Sequence, residues 1–129
     1  MQIRVYYEDT DSGGVVYYAN YLKLFERAKT EYLRERGFSV SENARQGTSF
    51  PVVHLEVNYL APALLDDLIT VETEVINIGH ASFALAHRIL NSQEKLLVEG
   101  QVKLACVDKS KKAKRLPTEL IQALQNTLG

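Results

Sequence analysis

The chain has 129 residues, 46% of them apolar, which suits a single domain over residues 1–129 with a core that needs no covalent staple. Lys and Arg total 15 against 16 acids, and a net charge of -1 excludes the basic field of a protein whose main partner is nucleic acid or an anionic membrane. A lone cysteine excludes an internal disulfide, and with no signal-peptide-like start and no spanning apolar run the expected location is cytoplasmic.

Ile3, Val5 and Tyr7 alternate with polar or exposed-type residues and predict a first strand. Glu8, Asp9 and Asp11 follow, then the adjacent glycines Gly13 and Gly14. From residue 18 to 36 the period changes: Tyr18, Tyr21, Phe25, Ala28 and Tyr32 fall at steps of three and four, giving one apolar stripe on a long helix. Lys23, Glu26, Arg27, Thr30 and Arg34 face away from it, and Gly37 after Arg34 and Arg36 marks the stop. Ser39 to Ser49 is polar and irregular, a loop or a short helix.

Period two then takes over. Val53, Leu55, Val57 and Tyr59 predict a strand ended by Ala61-Pro62, and Ile69, Val71, Thr73 and Val75 predict another. Phe83, Leu85, His87 and Ile89 predict a third, and Leu96, Val98, Gly100, Val102, Leu104 and Cys106 a fourth. Gly79-His80 and Asn91-Ser92-Gln93 join the last three as antiparallel hairpins. Leu116-Pro117-Thr118 opens a short closing helix through Leu120, Ile121 and Leu124, with proline in its first turn. The class is therefore α+β, because one striped helix and several half-apolar strands can share a core only if the sheet curls around the helix.

The chemistry-bearing residues are few. Cys106 reads as a small buried hydrophobe in a strand, and the run from Lys109 to Arg115 reads as a solvated turn before the last helix. His54, His80 and His87 have no metal-ligand spacing, so no metal or cofactor is expected. Ser12 and Ser82 lack the histidine and acid of a nucleophilic triad. The loop from Glu8 to Tyr17 carries two readings on spacing alone. Asp9, Thr10 and Asp11 can form Asx-type turns or cap the helix. Alternatively, Asp11 and the unpaired N–H groups of a helix starting near Tyr18 or Ala19 can both face a reacting carbonyl, with Gly13-Gly14 letting the ligand approach the backbone.

Arg4-Val5-Tyr6-Tyr7-Glu8-Asp9-Thr10-Asp11, then Gly13 to Tyr21, then Phe25-Glu26-Arg27-Ala28, resembles the signature of hotdog-fold acyl-CoA thioesterases of the 4-hydroxybenzoyl-CoA thioesterase type. The branch it is most similar to is the Tol-Pal-associated thioesterases, and the likeness runs through residues 50–73 to the closing Arg115-Leu116-Pro117-Thr118-Glu119-Leu120. The resemblance implies a five-stranded antiparallel sheet wrapped around one long helix, with a short C-terminal helix. It implies hydrolysis of an acyl-CoA to free acid and CoA, with Asp11 as nucleophile or general base and the backbone N–H near Tyr18 on the thioester carbonyl. It also implies substrate contacts at Gly14, His80 and Ser82, and a homodimer or homotetramer with active sites at the protomer boundary. The chain departs from the pattern at Tyr18, where many members of the branch carry histidine, and at Gly79 to Ser82, where the 4-hydroxybenzoyl-CoA enzyme has a basic cluster for the nucleotide phosphates. Arg88, Lys95 and the 111–115 run are the substitute cations, and Tyr7, Tyr17 and Tyr21 the aromatic candidates for an acyl pocket. A non-catalytic hotdog module that binds an acyl ligand or a partner protein is the alternative. A hydratase on the same fold would need an Asp and His set that the sequence lacks.

Overall fold

The computed structural model describes residues 1–126; the last three residues of the expected 1–129 domain lie outside the described residues. Its elements are β1 (Gln2–Arg4), a 3-10 turn (Tyr7–Asp9), α1 (Asn20–Glu35), α2 (Val40–Arg45), β2 (Val52–Tyr59), β3 (Leu68–Ile78), β4 (Ser82–Leu90), β5 (Leu96–Ala105) and α3 (Thr118–Gln125). The five strands form one antiparallel sheet in the order β1-β3-β4-β5-β2. With α1 held against its inner face, this is the hotdog arrangement that the resemblance implies.

The core follows from the two periods. Tyr21, Phe25, Ala28 and Leu33 of α1 lie in one buried cluster with Ile69 and Val71 of β3, Phe83, Leu85 and Ile89 of β4, and Val98, Val102 and Leu104 of β5. Leu120 and Leu124 of α3 close the same cluster. Gly100 marks where the helix comes closest: a Cβ there would stand 2.7 Å from the Phe25 ring and 2.9 Å from the carbonyl oxygen of Glu56. At the C-terminus of α1, the N–H of Gly37 and that of Phe38 bond back to the carbonyls of Arg34 and Leu33, and Gly37 takes a φ of 87°, so the predicted stop is a glycine C-cap.

Several expectations change. Tyr7 is not in the first strand: the chain leaves the sheet after Arg4 because Asp9 Oδ2 accepts the Tyr6 N–H at 2.8 Å and folds residues 7–9 into a turn, leaving Tyr7 82% exposed. Tyr18 stands outside α1 and off its buried stripe, 62% exposed, while Lys29 and Leu33 are buried on that helix instead. The irregular 39–49 segment holds α2, capped by the Ser39 hydroxyl accepting the Glu42 N–H at 3.1 Å. β2 bears apolar residues as predicted, yet only Val57 is even half-buried, because this edge strand is bonded to β5 alone. Cys106 is fully buried one residue beyond β5; its burial pushes the thiol pKa up. The Gly79 hairpin forms as expected, its N–H donating to the Ser82 carbonyl at 2.7 Å.

Candidate active site

The loop from Thr10 to Val16 is a small hairpin of its own. Thr10 and Val16 pair as an isolated antiparallel bridge, the Asp11 N–H donates to the Val15 carbonyl at 2.9 Å, and the Gly14 N–H returns to the Asp11 carbonyl at 3.1 Å. Gly14 has a φ of 77°, a left-handed conformation that an L side chain rarely adopts, so the turn requires glycine there. A second layer fixes the hairpin to the segment ahead of β3: Val15 bridges Leu64, the Val16 N–H bonds Ala63 O at 2.9 Å, and the Leu65 N–H bonds Gly14 O at 3.3 Å. Tyr21 reaches out of the core to join this support, its hydroxyl accepting the Ala63 N–H at 3.1 Å; burial raises the phenol's pKa.

Within that frame the two acids do different things. Asp9 is a brace: its carboxylate holds the Tyr6 N–H, and its carbonyl accepts from the Tyr17 N–H at 3.0 Å and from Asn20 Nδ2 at 2.9 Å. Asn20, which sequence reasoning did not single out, therefore ties the first residue of α1 to the loop. Asp11 is exposed, and one oxygen of its carboxylate accepts the Gly13 N–H at 2.8 Å in an Asx turn. The structural reading of the loop and the chemical one thus coexist at Asp11, since the second oxygen has no partner among the described residues.

Helix α1 opens without a side-chain cap at Ala19. Its first turn is closed by the N–H groups of Asn20 and Leu22, which donate to the carbonyls of Tyr17 and Ala19, whereas the N–H groups of Tyr18 and Ala19 meet no acceptor among the described residues. These are donors at the positive end of a 16-residue helix dipole. The ring of Tyr18 packs edge-on to Tyr59, with centroids 6.3 Å apart, and the Tyr59 hydroxyl donates to the Tyr18 carbonyl at 3.2 Å. An open cavity of about 300 Å³ lies here, walled by Val16, Tyr18, Tyr21, Tyr59 and Leu60. Of the aromatic candidates, Tyr21 lines it; Tyr17 packs its ring on Tyr18 at 4.8 Å, and Tyr7 points into solvent.

The remaining expected contacts lie elsewhere. His80 is exposed and Ser82 half-buried in the β3–β4 turn. Asp11 and Gly14 sit near Leu64, just ahead of β3, so within one chain the length of that 11-residue strand, roughly 35 Å, separates them from the turn. Arg88 is paired with Glu72 at 3.0 Å, and Lys114 donates to Thr48 at 2.6 Å. His54 is a surface residue beside Glu56. His87 is a satisfied core residue: it is 1% exposed, its Nδ1 and the Thr73 hydroxyl are 2.9 Å apart, and its ring stacks on Phe25 at 4.7 Å. Burial, and next the nearby Lys29 cation, lower its pKa to about 4.

Known proteins resemble this chain in sequence and in fold. The family model described as the thioesterase-like superfamily matches residues 5–124. The acyl-CoA thioester hydrolase YbgC of Escherichia coli is 42% identical over 120 residues, covering 92% of this chain and 90% of the relative. The acyl-CoA thioesterase YbgC of Haemophilus influenzae is 46% identical over 110 residues, covering 84% of this chain and 80% of the relative. Among solved structures, the BH1999 gentisyl-coenzyme A thioesterase superposes with a TM-score of 0.89 at 28% identity, over 96% of this chain and 98% of its own.

Proposed function

The chain belongs to the thioesterase-like superfamily, and from that premise we propose that it hydrolyses acyl-CoA thioesters to free acid and CoA, with Asp11 and the backbone N–H of Tyr18 as the reacting groups. The observation that carries this reading is the pairing of an exposed carboxylate, on a braced glycine hairpin, with two N–H donors left open at an uncapped helix start. The substrate class comes from the relatives, two of which are named as acyl-CoA thioesterases.

The mechanism follows from those groups. The Tyr18 N–H bonds the thioester carbonyl and strengthens its hold as negative charge grows on that oxygen, the kind of donor whose removal costs about 10²- to 10³-fold in turnover. Asp11 supplies the attack, either by taking a proton from water as the water oxygen adds to the carbonyl carbon, or by adding its own oxygen to give an anhydride that water then opens. The carbon–sulfur bond breaks in both cases, the thiolate of CoA leaves, and the proton from water ends on sulfur. Gly14, with no Cβ, lets the pantetheine arm pass close to the backbone.

His80 and Ser82 join the same site only through a second copy of the chain. β2 is an open sheet edge with Val52, Val53, Leu55 and Tyr59 exposed, and antiparallel pairing of two β2 edges about a two-fold axis sets the Tyr59 end of one against the Val52 end of the other. The 79–82 turn lies at the Val52 end, since Ser82 pairs with Ala105 and Val52 with Leu104 of β5. A homodimer would thus carry one protomer's turn toward the other's Asp11. One continuous cluster of buried side chains supports reading residues 1–129 as one domain. The single cysteine supports a cytoplasmic setting, and no helix among the described residues is long and apolar enough to cross a membrane.

The test is release of free CoA from a panel of acyl-CoAs, short to long and aromatic, by the wild-type protein and by Asp11→Asn. Asn keeps the size and an oxygen for the Gly13 N–H but removes the charge, so turnover should fall by roughly 10²-fold or more while the protein stays folded and still binds substrate. A folded Asp11→Asn protein with wild-type turnover would remove Asp11 from the chemistry and place the reacting group elsewhere, whereas a wild type that releases no CoA from any of the panel would favour the non-catalytic module.

A further inference from the structure

A second cavity, of about 260 Å³, lies between α1 and the edge strand β2, walled by Phe25, Val52, Leu55, Val102 and Leu104. Its lining is almost wholly apolar, yet three polar side chains also line it: Glu26, Lys29 and His87. Lys29 is the anomaly. Its side chain is 5% exposed, and its only described partner is Glu26 Oε1 at 2.7 Å. An ammonium has three donors, so two are left without a described acceptor beside an apolar cavity, where an unmet polar group is costly. Lys29 and His87 line this cavity together.

We propose that this cavity receives the far end of the acyl group, and that Lys29 makes it select a short acyl chain bearing a hydroxyl over an aliphatic chain of equal length. The inference rests on the thioesterase reading and on the two-fold pairing above, which sets the Tyr18 and Tyr59 cavity of one protomer beside the Val52 mouth of its partner's second cavity. The volume lies below the roughly 300–1,000 Å³ of sites for drug-sized ligands, which fits a short chain. The chemistry of the wall fixes the group at its end. An alkyl terminus leaves the two Lys29 donors unmet. A carboxylate would place a second anion beside Glu26, with one lysine shared between them. A hydroxyl accepts from one of the two Lys29 donors and donates its own proton to Glu26, so it meets one more donor than an alkyl end does without adding a second anion.

The experiment compares kcat/KM for butanoyl-CoA, 4-hydroxybutanoyl-CoA and succinyl-CoA in the wild type, Lys29→Met, Lys29→Arg and Leu55→Trp. In the wild type the hydroxylated substrate should exceed butanoyl-CoA about 10-fold or more, and succinyl-CoA should trail both. Lys29→Met should bring the hydroxyl-to-alkyl ratio to one or below. Lys29→Arg, which keeps the cation, should hold the preference. Leu55→Trp, which fills the cavity, should lose it in a protein whose Lys29 is untouched, and this decides the matter if Lys29→Met does not fold. A wild-type ratio near one, or a ratio that survives both Lys29→Met and Leu55→Trp, overturns the role of Lys29 and the cavity while leaving the thioesterase reading intact. Hydrolysis of none of the three substrates, nor of any longer or aromatic acyl-CoA, would instead sink the thioesterase reading itself.

Discussion

At the scale of single residues, the two acids of the loop separate by what their oxygens hold. The Asp9 carboxylate is spent on the Tyr6 N–H, and its carbonyl on the Tyr17 N–H and the Asn20 side-chain amide, so Asp9→Ala, the control for Asp11→Asn, should cost stability, about 0.5–1.5 kcal/mol for the lost carboxylate bond. His87 sets a pH limit of a different kind. Its pKa is about 4 in the folded chain against 6.5 when unfolded, so between those values the unfolded chain binds more protons. The stability tied to keeping the ring neutral is whole above pH 6.5 and drains as pH falls through 4, on the order of 3 kcal/mol in all. Urea midpoints measured from pH 7 to pH 4 should show this fall, and His87→Leu should flatten it; an unchanged slope in the variant would assign the acid sensitivity to other groups.

At the scale of elements, α1 and the β5–β2 side of the sheet depend on a missing side chain. Gly100 lies opposite Val57 of β2 and His87 of β4, and Phe25 fills the space where its Cβ would be. Gly100→Ala meets both a ring and a backbone carbonyl, and the carbonyl cannot swing aside without disturbing the β2 ladder. The cost should be about 1–3 kcal/mol by thermal or denaturant unfolding, the range for overpacked cores. A neutral result would mean that α1 can slide along the sheet, which would also shift Tyr18 and the cavity beneath β2.

At the scale of the whole molecule, the open β2 edge is the feature that a lone chain leaves unexplained. Val52, Val53, Leu55, Tyr59 and Leu60 are each more than a third exposed along one strand and its exit, the pattern of an edge that meets another copy. Sedimentation at micromolar concentration should give a dimer or larger, and Val53→Lys should shift it toward monomer and reduce acyl-CoA turnover with it. A wild-type protein that sediments only as monomer would refute the shared site, since His80 and Ser82 would then stay a sheet length from Asp11.

The sequence by itself determined the order of elements, the antiparallel hairpins and the stop at Gly37, because period, turn chemistry and capping are local and act through neighbours a few residues apart. Spacing placed Asp11, Gly14 and Tyr18 in one loop and helix start with two readings open, and the resemblance to acyl-CoA thioesterases chose the chemical one. What the sequence misplaced were residues whose setting depends on distant chain. Tyr7 and Tyr18 fit apolar patterns but are exposed because Asp9 folds the loop away from the sheet and α1 begins only at Asn20. Lys29 carries no sign of burial in its own neighbourhood, yet it is buried beside a cavity lined by residues of β2, β4 and β5. The distance from Asp11 to His80, the engagement of Arg88 by Glu72 and the open β2 edge are likewise products of strand pairing across many residues of sequence. Only the tertiary structure could decide them, since each is fixed by which strands lie side by side.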